Sequence, residues 1–323
     1  MGEGRGMLAA MINRREFIGT SIAAAAVGST GASALGATMS HQPSAGPNEP
    51  KFRLAYAPHF GMFSNHAPDD LDQLRFAADQ GFWAWEDNGM KGRGAEFQEK
   101  AAKVMAERGI RMGIFVAADI DWRSPTLTTG KKEHLDKFVE QVRESVEVAK
   151  RINTKFCTIV PGTVAENIPE GIQMANVVEA LKRACGVCEA YGLVMVNEPL
   201  NWRDHPRLFL RYSDQAYAIM KAVNHPCCKI LFDMYHQQVT EGNLIDNINR
   251  TWDEIGFFQI GDNPGRCEPG TGEVNYRNVF GHIARKAKES GREFILGMEH
   301  GNSKSGKEGE LAVIRAYREV DGF

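Results

Sequence analysis

Leu193-Val194-Met195-Val196-Asn197-Glu198-Pro199 is a nearly unbroken apolar run that stops abruptly at an amide and a carboxylate. Three later stretches repeat the form: Lys229-Ile230-Leu231-Phe232-Asp233, Gly256-Phe257-Phe258-Gln259-Ile260-Gly261-Asp262 and Phe294-Ile295-Leu296-Gly297-Met298-Glu299-His300. Strands that are apolar on consecutive positions, rather than alternating, are parallel strands covered on both faces. Upstream, Phe52–Ala57, Phe82–Trp85, Arg111–Ala118 and Phe156–Val160 complete a set of eight runs. Amphipathic patterns lie between them at Glu96–Arg108, Glu133–Lys150, Gln173–Tyr191, Leu208–Val223, Tyr276–Ser290 and Gly309–Val320. Gly109 stands where a left-handed cap would end the first of these helices. A strand–helix alternation of this length predicts a single (β/α)8 TIM barrel over residues 51–323. A doubly wound open sheet is the competing architecture, but no G-x-G-x-x-G follows the first strand.

The segment ahead of the barrel has a different composition. Asn13-Arg14-Arg15-Glu16-Phe17-Ile18-Gly19 precedes a moderately apolar stretch, Thr20–Gly28, and small residues ending in Ala32-Ser33-Ala34. A basic region, a short apolar region and an A-x-A site form a secretory signal, and the paired arginines before Phe-Ile resemble the twin-arginine type. Residues 1–34 are therefore expected to be an export signal, 35–50 a Ser/Gly/Pro-rich linker, and the mature protein periplasmic or extracellular. That route carries folded proteins, so a metal loaded in the cytoplasm would travel with the chain. The whole sequence has 323 residues, 43% hydrophobic and 24% charged, with a formal charge of −3. Mild acidity gives a phosphate backbone no electrostatic attraction, so no nucleic-acid partner is expected. No apolar run after the leader is long enough for a membrane span. Six cysteines in a chain this long do not make a disulfide scaffold. Cys185-Gly186-Val187-Cys188 has redox spacing but falls inside a predicted helix, where packing is the expected role.

In such a barrel the chemistry sits where strands end. Glu198, Asp233, Gln259 and Glu299 are spaced by 35, 26 and 40 residues, each interval close to one strand–helix unit. They are thus expected at similar height on successive strands, converging on the axis. Three carboxylates aimed at one low-dielectric spot repel unless something positive sits among them. An all-oxygen set suits a hard or borderline divalent ion, Mg²⁺ or Mn²⁺. The Gly/Pro-rich stretch Gly261–Glu273 is expected to hold Arg266 over the mouth, a natural bidentate partner for a substrate carboxylate.

At these residues the chain resembles the hydroxypyruvate isomerase family of the xylose-isomerase-like TIM barrels. The similarity is carried by Val196-Asn197-Glu198-Pro199-Leu200-Asn201, Phe232-Asp233-Met234-Tyr235-His236-Gln237, Gly261-Asp262 through Gly272-Glu273, and Glu299-His300. It implies metal ligation by Glu198, Asp233, Gln259 and Glu299, acid–base roles for Glu198 and Glu299, and substrate contacts from His236 and Arg266. The implied reaction is a metal-dependent 1,2-proton transfer in a small hydroxy-carbonyl compound or sugar, through an enediolate. Epimerase relatives usually carry His where this chain has Gln259. Two other outcomes follow from the same residues: an exported keto-sugar or keto-glycoside epimerase or lyase on the same metal site, or an exported barrel that binds sugar without turning it over. Asp119–Gly130 and the polar strand end Trp85-Glu86-Asp87-Asn88 lie outside the resemblance, and both are expected to shape the pocket.

Overall fold

The computed structural model describes residues 49–323. The expected export signal and nearly all of the linker lie outside the described residues. Each apolar run forms a short parallel strand: β1 (Ala55–Ala57), β2 (Ala84–Trp85), β3 (Arg111–Met112), β4 (Phe156–Ile159), β5 (Val194–Asn197), β6 (Cys228–Asp233), β7 (Ile255–Gln259) and β8 (Ile295–Gly297). Six of them make one sheet in the order β1-β8-β7-β6-β5-β4, and β2 pairs with β3. Backbone hydrogen bonds join the two sheets at both seams. Glu86 N donates to Pro58 O at 2.9 Å, and Thr158 N donates to Phe115 O at 2.9 Å. The result is a TIM-barrel-like α/β fold. The run Arg111–Ala118 counts as strand for only two residues because it changes partner: Gly113 N still bonds Trp85 O, and beyond it Val116 bridges to Thr158.

Helices clothe the ring: α1 (Asp70–Asp79), α2 (Ala95–Arg108), α3 (Lys132–Arg151), α4 (Glu170–Cys188), α5 (Ser213–Val223), α6 (Met234–Thr240), α7 (Leu244–Thr251), α8 (Tyr276–Ser290) and α9 (Gly306–Val320). Gly109 ends α2 at φ 66°, as its position predicts. Cys185 and Cys188 are buried free thiols within α4. The helix expected from Leu208 begins only at Ser213. Leu208, Phe209 and Leu210 are buried instead in a loop tied down by Phe209 N to Gly162 O and Leu200 N to Leu210 O, at 3.0 and 3.1 Å. Apolar spacing there reports burial against the barrel mouth, not a helical face. None of the helices among the described residues is long and apolar enough to cross a membrane.

Two apolar layers result. The outer one lies between strands and helices. The inner one fills the ring with Ala55, Ala57, Ala84, Ile114, Val196, Leu231, Phe257 and Ile295. This plug is the floor on which the polar strand ends stand.

Candidate active site

Strand alternation explains why the polar groups converge. Two positions beyond Ala84, Val196, Leu231, Phe257 and Ile295 come Glu86, Glu198, Asp233, Gln259 and Gly297, and two beyond that last glycine comes Glu299. Side chains in a strand repeat every second residue, so each residue of this second tier projects into the space above the apolar plug. Ligand atoms of Glu198, Asp233, His236 and Glu299 all lie within 4.8 Å of one another. Gln259 is paired in register with Asp233 on one side and Gly297 on the other. The structure thus brings together every residue expected at the strand ends and places His236 among the carboxylates.

Asp233 does two jobs. One oxygen caps α6, accepting from Tyr235 N at 2.7 Å and His236 N at 3.2 Å, while the other faces the cluster. The cap sets the direction of His236. Its Nδ1 accepts from the backbone N–H of Asn201 at 3.3 Å, so the ring proton is on Nε2. That nitrogen lies 3.8 Å from Glu198 Oε1 and 3.7 Å from Asp233 Oδ2. Burial, with Arg266 adding to it, holds His236 well below its ordinary range, so the ring stays neutral and offers an N–H. Asp204 accepts from Asn201 Nδ2 at 3.2 Å and from the Tyr235 hydroxyl at 2.6 Å. His300 turns away, bonding Tyr317 Oη at 2.8 Å and Gly301 O at 2.9 Å.

Arg266 reaches deeper than its place in a loop over the mouth suggests. Its Nη2 donates to Glu299 Oε2 at 2.8 Å and Asp233 Oδ2 at 3.3 Å, and its Nε to Glu299 O at 3.0 Å. The loop is built to hold it there. Buried Asp262 accepts the backbone N–H groups of Asn263, Gly270, Gly272 and Val274 at 2.8–3.1 Å. A side chain at Gly272 would overlap the Asn263 carbonyl. Arg266 itself takes a left-handed φ of 51°.

Glu86, from the polar strand end expected to shape the pocket, projects into the same space as the four strand-end residues. It is 2% exposed and accepts from Gln259 Nε2 at 3.4 Å. It fits only because residue 297 has no side chain. Its signal was the two-residue offset from Ala84, the offset shared by Glu198 and Asp233. Asn88, from the same polar strand end, donates to Glu299 Oε1 at 2.9 Å. Gly297→Ala should therefore push the Glu86 carboxyl aside at a cost of about 1–3 kcal/mol. A thermal melt reads this directly, and an unchanged melting temperature would show that the contact has slack.

Three buried atoms in this space lack a hydrogen-bond partner among the described residues: Glu198 Oε1, Gln259 Oε1 and His236 Nε2. Unpaired buried polar atoms are costly. Two such oxygens beside the carboxylates of Asp233 and Glu299 form the donor set of a hard or borderline divalent cation. The residues present fit such an ion. The electrostatics agree: burial pushes Glu198 and Glu86 well above the carboxylate range, and the Glu299 charge adds to both. Asp233 is pushed up to about 7 by burial, against the pull of Arg266 and with the Glu299 charge adding to the rise.

A carboxyl that binds its proton more tightly in the folded state stabilises the fold below its unfolded pKa, and that stability is lost as pH rises through the folded value. For Asp233 the window runs from its ordinary 3.8 to about 7. The cation-free protein should lose melting temperature across that window. Saturating Mg²⁺ or Mn²⁺ should restore it, by roughly 5 °C or more near pH 8 and by less near pH 5. Equal cation shifts at both pH values would contradict the carboxylate assignment.

The xylose isomerase-like TIM barrel family matches residues 74–317. The chain belongs to that family. This xylose isomerase-like barrel is similar to the 2-oxo-tetronate isomerase of Cupriavidus necator, 30% identical over 230 residues that cover 68% of this chain and 83% of that protein. It is also similar to the hydroxypyruvate isomerase of Escherichia coli, 30% identical over 201 residues, 58% of this chain and 76% of that one. Among solved structures, a family 2 AP endonuclease from Brucella melitensis superposes with a TM-score of 0.69 at 22% identity, over 83% of this chain and 99% of that chain, which is a likeness of fold. The curated relatives are isomerases, and this xylose isomerase-like chain is an enzyme of that class.

Proposed function

We propose that the chain is a hydroxypyruvate isomerase-like enzyme that interconverts small hydroxy-oxo compounds by moving a proton between adjacent carbons. The observation that carries this reading is the cluster of Glu198, Asp233, His236 and Glu299, with unpaired buried oxygens on Glu198 and Gln259. Glu198, Asp233, Gln259 and Glu299 would hold a divalent cation, Mg²⁺ or Mn²⁺. Such an ion supplies Lewis-acid polarisation of a carbonyl and stabilises negative charge as it develops.

The protein's own groups do the rest. One of Glu198 and Glu299 takes the C–H proton beside the carbonyl, leaving the electron pair in an enediolate, and the other delivers a proton to the neighbouring carbon. The hydroxyl proton passes to the former carbonyl oxygen, so the product is an isomer and no oxidant is consumed. His236 donates its Nε2–H to a substrate oxygen. Arg266, with its side chain 27% exposed at the edge of the cluster, meets a substrate carboxylate. The amide at 259 favours isomerisation over epimerisation, and the leader favours an exported enzyme.

The test is turnover of hydroxypyruvate by the purified protein in D₂O. One solvent deuteron should enter at the carbon that gains the proton. No conversion of hydroxypyruvate or of a 2-oxo-tetronate would overturn the reading.

A further inference from the structure

A second space opens on the same face as the active site, outside the carboxylate cluster. It is a cavity of about 510 Å³ whose wall includes Asp119, Asp121, Trp122, Arg123, Lys137 and Gln141, formed by the segment after β3 and the first half of α3. Its size is within the range of small-molecule sites. Aromatic rings connect it to the cluster. Trp122 stacks on His205 with centroids 5.0 Å apart, and His205 lies 5.5 Å from His236. Trp122 is nevertheless 41% exposed, so part of the indole remains open to a ligand.

The chemistry of the wall narrows the ligand. Two carboxylates, Asp119 and Asp121, balance Arg123 and Lys137, and Lys137 Nζ lies 3.4 Å from Asp119. A phosphate or carboxylate would find no net attraction. Acceptors (Asp119, Asp121) and donors (Arg123, Lys137, Gln141) stand side by side, with Gln141 Nε2 already 2.6 Å from Asp119. A hydroxyl, which both donates and accepts, matches that mixture. An open indole face suits the C–H face of a sugar ring. We infer that this cavity is a subsite for a neutral glycosyl or polyol unit, attached to the hydroxy-carbonyl group that reacts at the cluster. The inference rests on the proposed reaction at that cluster and names a larger, neutral extension of its substrate.

The experiment uses the full chain, titrated with a neutral disaccharide and with its singly phosphorylated counterpart, followed by calorimetry and by tryptophan fluorescence. Hydroxypyruvate turnover is measured in parallel. The neutral sugar should bind saturably. Trp122→Ala should weaken it about tenfold and Trp122→Phe should recover most of that loss. Hydroxypyruvate turnover should stay within about twofold in both variants, well short of the loss expected from an acid–base residue. Asp121→Asn, at a more exposed position, supplies an independent variant and should also weaken the neutral sugar. Absence of saturable sugar binding, binding that neither Trp122→Ala nor Asp121→Asn changes, or preference for the phosphorylated sugar would each overturn the inference. If hydroxypyruvate is turned over while no sugar binds, only the subsite fails. Sugar binding that depends on Trp122, without any turnover of hydroxypyruvate, would instead remove the proposed small substrate and leave the subsite.

Discussion

Glu299→Gln should lower turnover by at least ~10²–10⁴-fold, the worth of a positioned acid or base, while the fold remains intact. The substitution keeps side-chain volume and one oxygen able to accept from Asn88 Nδ2, which lies 2.9 Å from the native carboxylate. What disappears is the charge that meets Arg266 Nη2 at 2.8 Å and the oxygen able to take a proton. Glu198→Gln should do the same from the opposite side of the cluster, since its carboxyl is buried and has an oxygen without a partner. The two losses should not add in Glu198→Gln/Glu299→Gln, because proton removal and return act as one unit. Near-normal turnover in either single variant, with an unchanged melting temperature, would show that the proton moves through other groups.

Asp233→Asn should weaken Mn²⁺ binding by at least ~10²-fold, since even partners one shell removed from a metal cost about 10–100-fold when lost. The choice of Asn separates the two jobs of this residue. Asn caps a helix as well as Asp does, so the bonds now made to Tyr235 N and His236 N at 2.7 and 3.2 Å survive. Asp233→Ala would lose the cap as well, for a further ~0.5–2 kcal/mol of stability. Calorimetric titration of the chelator-treated proteins separates these effects. Wild-type Mn²⁺ affinity in Asp233→Asn would remove this carboxylate from the ligand set.

Much of this arrangement is legible before folding, for a specific reason. Parallel strands buried on both faces leave runs such as Val194–Val196 and Ile230–Phe232, and alternation past the interior Val196 and Leu231 aims Glu198 and Asp233 at the barrel mouth, whereas Asn197 turns outward to Cys228 Sγ at 3.3 Å. Intervals each close to one strand–helix unit then place Glu198, Asp233, Gln259 and Glu299 on one face. Glu86 was harder because β2 is two residues long, and Glu86-Asp87-Asn88 follow it without a break. Three polar residues in a row do not say which one faces inward until Ala84 is known to be interior. Helix α6 is hard to read from sequence for a related reason. Met234-Tyr235-His236-Gln237 reads as strand-end chemistry, and the same residues form a helical turn because Asp233 caps it. The target of Arg266 lay beyond pattern altogether. It depends on the four backbone donors gathered by Asp262 and on one left-handed residue, and no periodicity encodes either.

The most direct test of the central claim is the isomerisation rate of the chelator-treated enzyme with hydroxypyruvate, before and after Mg²⁺ or Mn²⁺ is returned. Activity should vanish on chelation and return with either ion in proportion to the Glu198–Asp233–Gln259–Glu299 site filled. Full activity in protein shown by elemental analysis to be free of metal would contradict it.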